Sequence, residues 1–521
     1  MPTQRADAVE RLLAAMASEP AGQVSPSVYE TARLVSLAPW LTGHVDRVSF
    51  LLSSQRPDGG WGPRGEYALV PSLSATEALL AVARTSPQED LLAAADRGLQ
   101  ALAKWLPAVR AIPDTPAIEL IVPALVESIN AHLSRPEAIP ELKHWHAGPL
   151  LNLPIGMDGR RLAAVRRLIA SGGSVPQKLM HALEVVGDLA RQARGVEPPS
   201  DGIVGASAAA TAAWLGGPGG AANHPASRAY LESVVKRHGS LAPCATPITA
   251  FERSWVVSSL KRAGLRVPAS PDLIRSLTAD LTVDGIPTGP GLPADADTTS
   301  VTLYALTALG APGDTECLWR YETPQGFCTW PGEDGFSLTT NAHVLDALTQ
   351  HVAARPNTST RYPVAVRRLV DALQSRQQAD GSWQDRWHAS PYYATMCCTL
   401  AVADAAEPSA ASALVRAARW VAASQRVDGS WGRWGGTVEE TAYAIQVLVA
   451  AGRNLPGAGA ALLRGRAYLE EHSEEDGPAL WHDKDLYRPT MIVRAAVLAA
   501  RHAAERVTTA HGQEYLSGSR M

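Results

Sequence analysis

Cysteine, phenylalanine and long apolar runs are all scarce in this chain of 521 residues. Its five cysteines, Cys244, Cys317, Cys328, Cys397 and Cys398, are odd in number and lack any C-x-x-C spacing. That pattern argues against a disulfide framework or a structural zinc site and suits a reducing compartment, so a cytoplasmic protein is expected. No segment approaches the roughly 18 uncharged apolar residues that span a bilayer, and the opening MPTQRADAVE has no apolar core of signal-peptide type. A soluble chain is the expectation. Basic residues number 47 against 51 acidic ones, for a formal net charge of -4. The chain therefore lacks the basic surplus that neutralises nucleic-acid phosphates, and nucleic acid is not an expected partner. Only 4 Phe stand beside 14 Trp and 12 Tyr. Trp offers the best cation–π face, so the bias suits a cavity that stabilises a cation, although core packing explains any single aromatic equally well.

What is present is mostly helix. Ala/Leu/Val-rich segments of helical period, such as TEALLAVART, AVRRLVDALQSRQ and ETAYAIQVLVAAG, alternate with Gly/Pro/Asp-rich turns, and few stretches alternate like strands. The expected fold class is all-α. The length favours two domains with a cleft between them, with one boundary near 266. An internal repeat is written three times, as QRPDGGW (Gln55 to Trp61), QQADGSW (Gln377 to Trp383) and QRVDGSW (Gln425 to Trp431). Recurring helix pairs build barrels or solenoids. In each copy Asp-Gly supplies a tight turn, Trp covers the junction and Gln reaches exposed backbone groups at helix ends, which makes these motifs staples of the fold.

The stretch GLPADADTTS (291 to 300) places Asp295 and Asp297 one residue apart, just before an apolar helical run. Asp before a helix is ordinarily an N-cap. Two like charges in one pocket, however, resist joint ionisation, so one proton is retained near neutral pH and the pair becomes a proton donor. In FSLTTNAHVLDAL (336 to 348), Thr339 and His343 share one helical face. Beside the donor they would stabilise the carboxylate left after proton transfer; standing alone, such a His is a core or surface residue.

Taken in order, these segments resemble the class II terpene cyclases, most closely bacterial diterpene cyclases with D-x-D-T-T in place of D-x-D-D. SVYETARLVSL (27 to 37), IELIVPALVESI (118 to 129), VPQKLMHALEVV (175 to 186), AFERSWVVSSLKRAGL (250 to 265), WQDRWHASPYYAT (383 to 395), VEETAYAIQVL (438 to 448) and LWHDKDLY (480 to 487) all have counterparts there. The repeat resembles that family's QW motif.

The resemblance implies two α/α barrels in a βγ arrangement: residues 1–25 and 266–521 as the β-type barrel carrying the acid, and 26–265 as an inserted γ-type barrel. It implies Asp297 as the general acid that protonates the terminal olefin of a polyprenyl diphosphate. Asp295 supports it, and Thr339 and His343 are its hydrogen-bonding partners. His181 matches a His that deprotonates the final cation in plant relatives, but Cys244 stands where its Asn partner would be, which leaves the terminating base open. Arg166 and Arg167, in GRRLAAVRRL, lie nearest the family's phosphate-contacting Lys, with a plain charged helix face as the alternative. Trp330, Trp387, Tyr392 and Tyr393 are candidates for the cavity wall. Mg2+ accompanies the diphosphate in the family; its ligands are not evident, Asp114 and Glu119 being the nearest candidates. No two aspartates are adjacent, so the D-D-x-x-D motif of ionising class I cyclases is missing and the product is expected to keep its diphosphate.

The expected reaction is bicyclisation of geranylgeranyl diphosphate to a labdane- or halimane-type diphosphate, which a phosphatase or a class I terpene synthase would consume. Farnesyl diphosphate cyclisation to a drimane-type product is the nearest alternative. A non-catalytic α/α toroid is more remote, as is a protein prenyltransferase β subunit, for whose zinc His388, Cys397 and Cys398 make no convincing ligand set.

Overall fold

The computed structural model describes residues 2–134, 139–146, 151–198, 200–333, 335–453, 455–473 and 477–518. Among these the chain is helical throughout, and its strands are three antiparallel hairpins of two-residue strands. Two hydrophobic cores organise the helices.

Around the first core, the helices Thr249–Arg262, Ala296–Ala308, Leu338–Ala354, Pro391–Ala405, Val438–Ala451 and Thr490–Gly518 each pack on the next, and the last packs on the first, closing a ring. Ring helices are apolar on nearly every side, as a helix covered on both flanks must be: every residue from Val438 to Ile445 is buried. Amphipathic helices Arg361–Ser375, Ala411–Ala423 and Ala458–Glu471 form an outer layer, each burying one stripe, and the N-terminal helix Pro2–Ser18 lies against Thr490–Gly518. The first helix thus joins the C-terminal barrel through Val9, Leu12 and Met16. The second core is enclosed by Val28–Leu37, Leu69–Ala83, Ile118–Leu133, the 3-10 segment Leu183–Ala190 and Ala208–Leu215, again in a closed circuit.

The sequence placed the return to the first barrel near 266. In the structure the second core ends at Ala242, while Ile248, Phe251, Trp255, Val256, Val257 and Leu260 pack into the first. The crossing therefore falls between Ala242 and Ile248, because the Thr249–Arg262 helix is one of the six ring helices and not a linker.

The three repeats build the same staple. Trp61, Trp383 and Trp431 are fully buried, and their indole N–H groups donate to the carbonyls of Leu51, Leu373 and Val421 at 2.7, 2.8 and 2.7 Å. Gln55, Gln377 and Gln425 each donate both to the glycine carbonyl of their own turn and to a carbonyl of the next outer helix, at 2.8–3.0 Å. Each motif so satisfies the free carbonyls of one helix end and ties it to its neighbour. The Trp431 ring lies so close to Gly465 that an added Cβ there would sit 2.5 Å from it.

The two barrels are joined by the hairpin Trp481–His482/Leu486–Tyr487. Its tip carries Lys484, wholly buried, into the second barrel, where it pairs with Glu30 and Glu184 and donates to Ser207 Oγ and the His181 carbonyl, both at 2.8 Å. Burial alone would lower the ammonium, but Glu184 and Glu30 hold it above its usual value, so the charge stays inside.

Candidate active site

Asp295 caps the Ala296–Ala308 helix from extended backbone, its Oδ1 accepting the Thr298 N–H at 2.6 Å. Thr288 donates to its other oxygen at 3.2 Å, and the hairpin pairing Ile286 with Asp295 fixes the approach. Burial pushes the Asp295 carboxyl up to about 7; the Thr298 hydrogen bond opposes this and the charge of Asp297 adds to it. The N-cap reading of Asp295 thus holds, in a carboxyl that burial keeps raised.

Asp297, in the helix's first turn, has its Oδ1 2.6 Å from His343 Nδ1; the two side chains are 16% and 11% exposed. Burial alone would lower the imidazole, but the Asp297 charge, with a smaller contribution from Cys397, holds it well above the histidine norm. Trp255 stands edge-on to His343 at 5.3 Å and donates to the Tyr393 hydroxyl at 2.9 Å. No described residue bonds Asp297 Oδ2, which leaves one carboxyl oxygen available.

Thr339 takes a different partner from the one expected. Its hydroxyl donates to Asp385 Oδ2 at 2.7 Å, while Asp385 Oδ1 accepts the Leu338 N–H at 2.6 Å. Asp385 thus caps the helix that carries His343 and stands between Thr339 and any direct bond to the acid. Burial raises the Asp385 carboxyl against the hydrogen bond from Thr339, and Asp297 adds to the rise. Three carboxyls thereby share one neighbourhood.

His181 is held from both sides, with Nδ1 2.6 Å from the Gly205 carbonyl and Nε2 2.7 Å from Asp483 Oδ1. Burial opposes the imidazolium, but Asp483 raises it above the usual histidine value, and Asp483 itself is held below the usual carboxylate range against burial by His181. The Cys244 thiol lies 3.5 Å from the Asp485 carbonyl and burial pushes it well up, so no thiolate stands beside His181. Burial also raises the Tyr487 hydroxyl well above its usual value, with the carboxylates of Asp483 and Asp297 both contributing.

Among the other candidates, Trp330 and Trp387 meet edge to face at 5.5 Å, and Tyr393 stacks on His388 at 4.8 Å beside Trp255. Tyr392 instead packs on Trp420 of the outer layer at 4.7 Å, so it fills the barrel wall and does not line a cavity at the acid. Arg166 pairs with Glu127 at 2.6 Å and lines a cavity of about 280 Å3 in the second barrel with Tyr29, Arg33 and Glu184. Arg167, one residue on, is exposed. Asp114 is engaged with Arg386 at 2.5 Å, a bond that joins the two barrels, and Glu119 with Arg161 at 3.2 Å. Among the described residues no group of three His, Cys, Asp or Glu side chains is placed to hold a metal ion together.

Sequence reasoning missed Asp385, Trp255 and Asp483. Each lay in a segment with family counterparts, but nothing local marks a partner 46 or 302 residues away.

The paired helical barrels are those of a class II cyclase. The squalene-hopene cyclase C-terminal domain family matches residues 334–498. The chain is 44% identical to an ent-copalyl diphosphate synthase of Streptomyces sp. (strain KO-3988), over 96% of this chain and 97% of that one. It is 40% identical to a labda-7,13-dienyl diphosphate synthase of Streptomyces clavuligerus, over 97% and 94%. The solved ent-copalyl diphosphate synthase from Streptomyces platensis superposes with a TM-score of 0.91 at 43% identity, covering 96% of this chain and all of that one. The chain belongs to the bacterial class II diterpene cyclases, which are isomerases working by general acid catalysis.

Proposed function

We propose that the protein converts geranylgeranyl diphosphate into a bicyclic labdane-type diphosphate, with Asp297 as the general acid and the diphosphate retained. The observation that carries this reading is the Asp297 carboxyl, fixed through Oδ1 by His343 and free at Oδ2 in a nearly dry surrounding. Protonating an olefin needs an acid much stronger than a solvated carboxylic acid. Here the His343 imidazolium would stabilise the carboxylate as the proton leaves, and Trp255 and Tyr393 would offer π faces to the cation. Burial excludes water that would quench it, and the walls hold the chain prefolded for ring closure.

The substrate length is supported by relatives whose names specify copalyl and labda-dienyl diphosphates, both at 40% identity or more. Arg166, in the lining of the second-barrel cavity, is suited to a diphosphate oxygen, and Arg167 to steering it from the surface. Asp114 and Glu119, which pair with Arg386 and Arg161, are the carboxylates that would hold a magnesium ion accompanying the diphosphate, whose charge it would neutralise. No helix among the described residues is long and apolar enough to cross a membrane; the unpaired cysteines suit the cytoplasm, and a phosphatase or class I synthase would consume the product.

Purified protein incubated with geranylgeranyl or farnesyl diphosphate, followed by dephosphorylation and identification of the alcohol, tests the reading. A bicyclic C20 alcohol is expected. A drimane-type C15 alcohol formed with higher kcat/KM would replace the substrate assignment, and no cyclic product from either would overturn it.

A further inference from the structure

Protonation-initiated cyclisation returns the proton it borrows: the last cation loses a C–H proton, so the pocket must hold an acceptor as well as a donor. His181 is a poor acceptor as placed, because both ring nitrogens already face oxygen acceptors, Gly205 O at 2.6 Å and Asp483 Oδ1 at 2.7 Å. In that setting each nitrogen is best satisfied carrying a hydrogen.

The carboxylates around the junction of the barrels can be sorted by their free oxygens. Asp295, Asp385 and Asp485 have both oxygens engaged. Glu30 bonds Ser207 through one oxygen and the Ala209 N–H through the other. Glu184 and Glu439 each keep an unbonded Oε2, but both atoms are sealed from any approach. Asp483 differs from all six. Its Oδ1 takes His181 and the Lys484 N–H at 2.7 and 2.6 Å, while its Oδ2 accepts nothing from a described residue and is not sealed. Its side chain is 12% exposed, close to the 16% of Asp297. The hairpin that carries it also sets Trp481 against Tyr393 at 4.6 Å, and Tyr393 accepts from Trp255, which stands on His343, so Asp483 approaches the surroundings of Asp297 from the side of the other barrel.

We infer that Asp483 is the proton acceptor that ends the reaction, with His181 positioning it and Lys484 keeping it charged. This rests on the class II cyclisation proposed above. Asp297 forms the C–H bond at the terminal olefin and is left as carboxylate. After ring closure, a C–H bond adjacent to the cationic carbon breaks, its electron pair forms the exocyclic or ring olefin, and the proton goes to Asp483 Oδ2 and on to solvent. Substrate and product keep one composition, and no co-reactant is needed. Weak basicity is no obstacle, since a proton beside a tertiary carbocation is lost to almost any acceptor; placement decides which proton goes.

Asp483→Asn and Asp483→Ser, incubated with geranylgeranyl diphosphate, test this through product distribution together with total substrate consumption. Consumption is expected to stay within about tenfold of the unsubstituted enzyme, while the main olefin falls from dominant to minor and water-captured hydroxylated or rearranged bicyclic diphosphates replace it. His181→Asn should shift the distribution the same way but less. An unchanged product distribution in either Asp483 variant at measurable consumption would overturn the inference. If both Asp483 variants lose all consumption, Asp483→Glu decides: it must consume substrate with an altered distribution, and an unaltered distribution or continued inactivity defeats the inference. Failure of the underlying reading is distinct: the unsubstituted enzyme would then give no bicyclic product at all.

Discussion

Two Asp–His pairs face the interior, one from each side of the junction, and they are built almost alike. In both, one carboxyl oxygen meets a ring nitrogen at 2.6–2.7 Å and the other is free. The surroundings differ. Asp297 stands among the carboxyls of Asp295 and Asp385, both of which it raises, whereas Asp483 stands beside the buried ammonium of Lys484 and is held below the usual range. The two pairs are therefore alike in geometry and opposite in the charge of their wider surroundings, the contrast on which the proposed roles of donor and acceptor rest.

Removing the cation that distinguishes the second pair is expected to have the largest effect. Lys484→Met leaves Glu30 and Glu184 buried without a counter-charge and should cost about 3–5 kcal/mol of stability, read as a fall in urea midpoint. A midpoint within error of the original would show that Lys484 does not hold the neighbourhood together.

Next comes pH. Asp295 titrates near 7 in the folded protein and in the ordinary carboxyl range when unfolded. Its contribution to stability is complete below that range and is lost as pH rises through about 7, a change of order 4 kcal/mol at most. The His181 imidazolium, also raised, loses its contribution as pH rises, whereas the depressed Asp483 loses its contribution as pH falls, so the two carboxyls pull stability in opposite directions. Urea titrations of Asp295→Asn against the unsubstituted protein between pH 4 and 8 should show the smaller slope in the variant; equal slopes would contradict the assignment.

His343→Asn should reduce turnover about 10- to 100-fold with little change in KM, because it removes charge from the carboxylate formed in the proton-transfer step while keeping a hydrogen-bond donor. An unaltered kcat would dismiss its support. Thr339→Val should do least: it deprives Asp385 of one of several hydrogen bonds, costing about 1 kcal/mol of stability and leaving turnover within a few-fold. A loss matching that of His343→Asn would mean that Thr339 reaches the acid directly.

The sequence carried the parts whose logic is local. Three Q-x-x-D-G-x-W copies were readable as staples because Gln, turn and Trp act within one motif, and the four-residue spacing of Thr339 and His343 put both on one helix face. The Asp297–His343 pairing became legible once the family pattern aligned those two segments. What stayed hidden depends on closure of the barrels. Asp385 intercepts Thr339 from a turn 46 residues on, and Asp483 meets His181 across 302 residues. Tyr392 sits one position before Tyr393 on the same helix, and rotation about that helix decides which ring faces inward and which faces Trp420. The domain crossing was misplaced for a related reason: Thr249–Arg262, TAFERSWVVSSLKR, reads like any other helix until the ring around the first core shows it to be a member.

Proton delivery from Asp297 is tested most directly by running the reaction in D2O with the unsubstituted enzyme and with Asp297→Asn. The account predicts one deuterium on the ring methylene carbon adjacent to the gem-dimethyl carbon of the bicyclic product from the former, and a folded variant that binds substrate but yields about a thousandfold less labelled product, if any. Labelled product at undiminished yield from Asp297→Asn would contradict it.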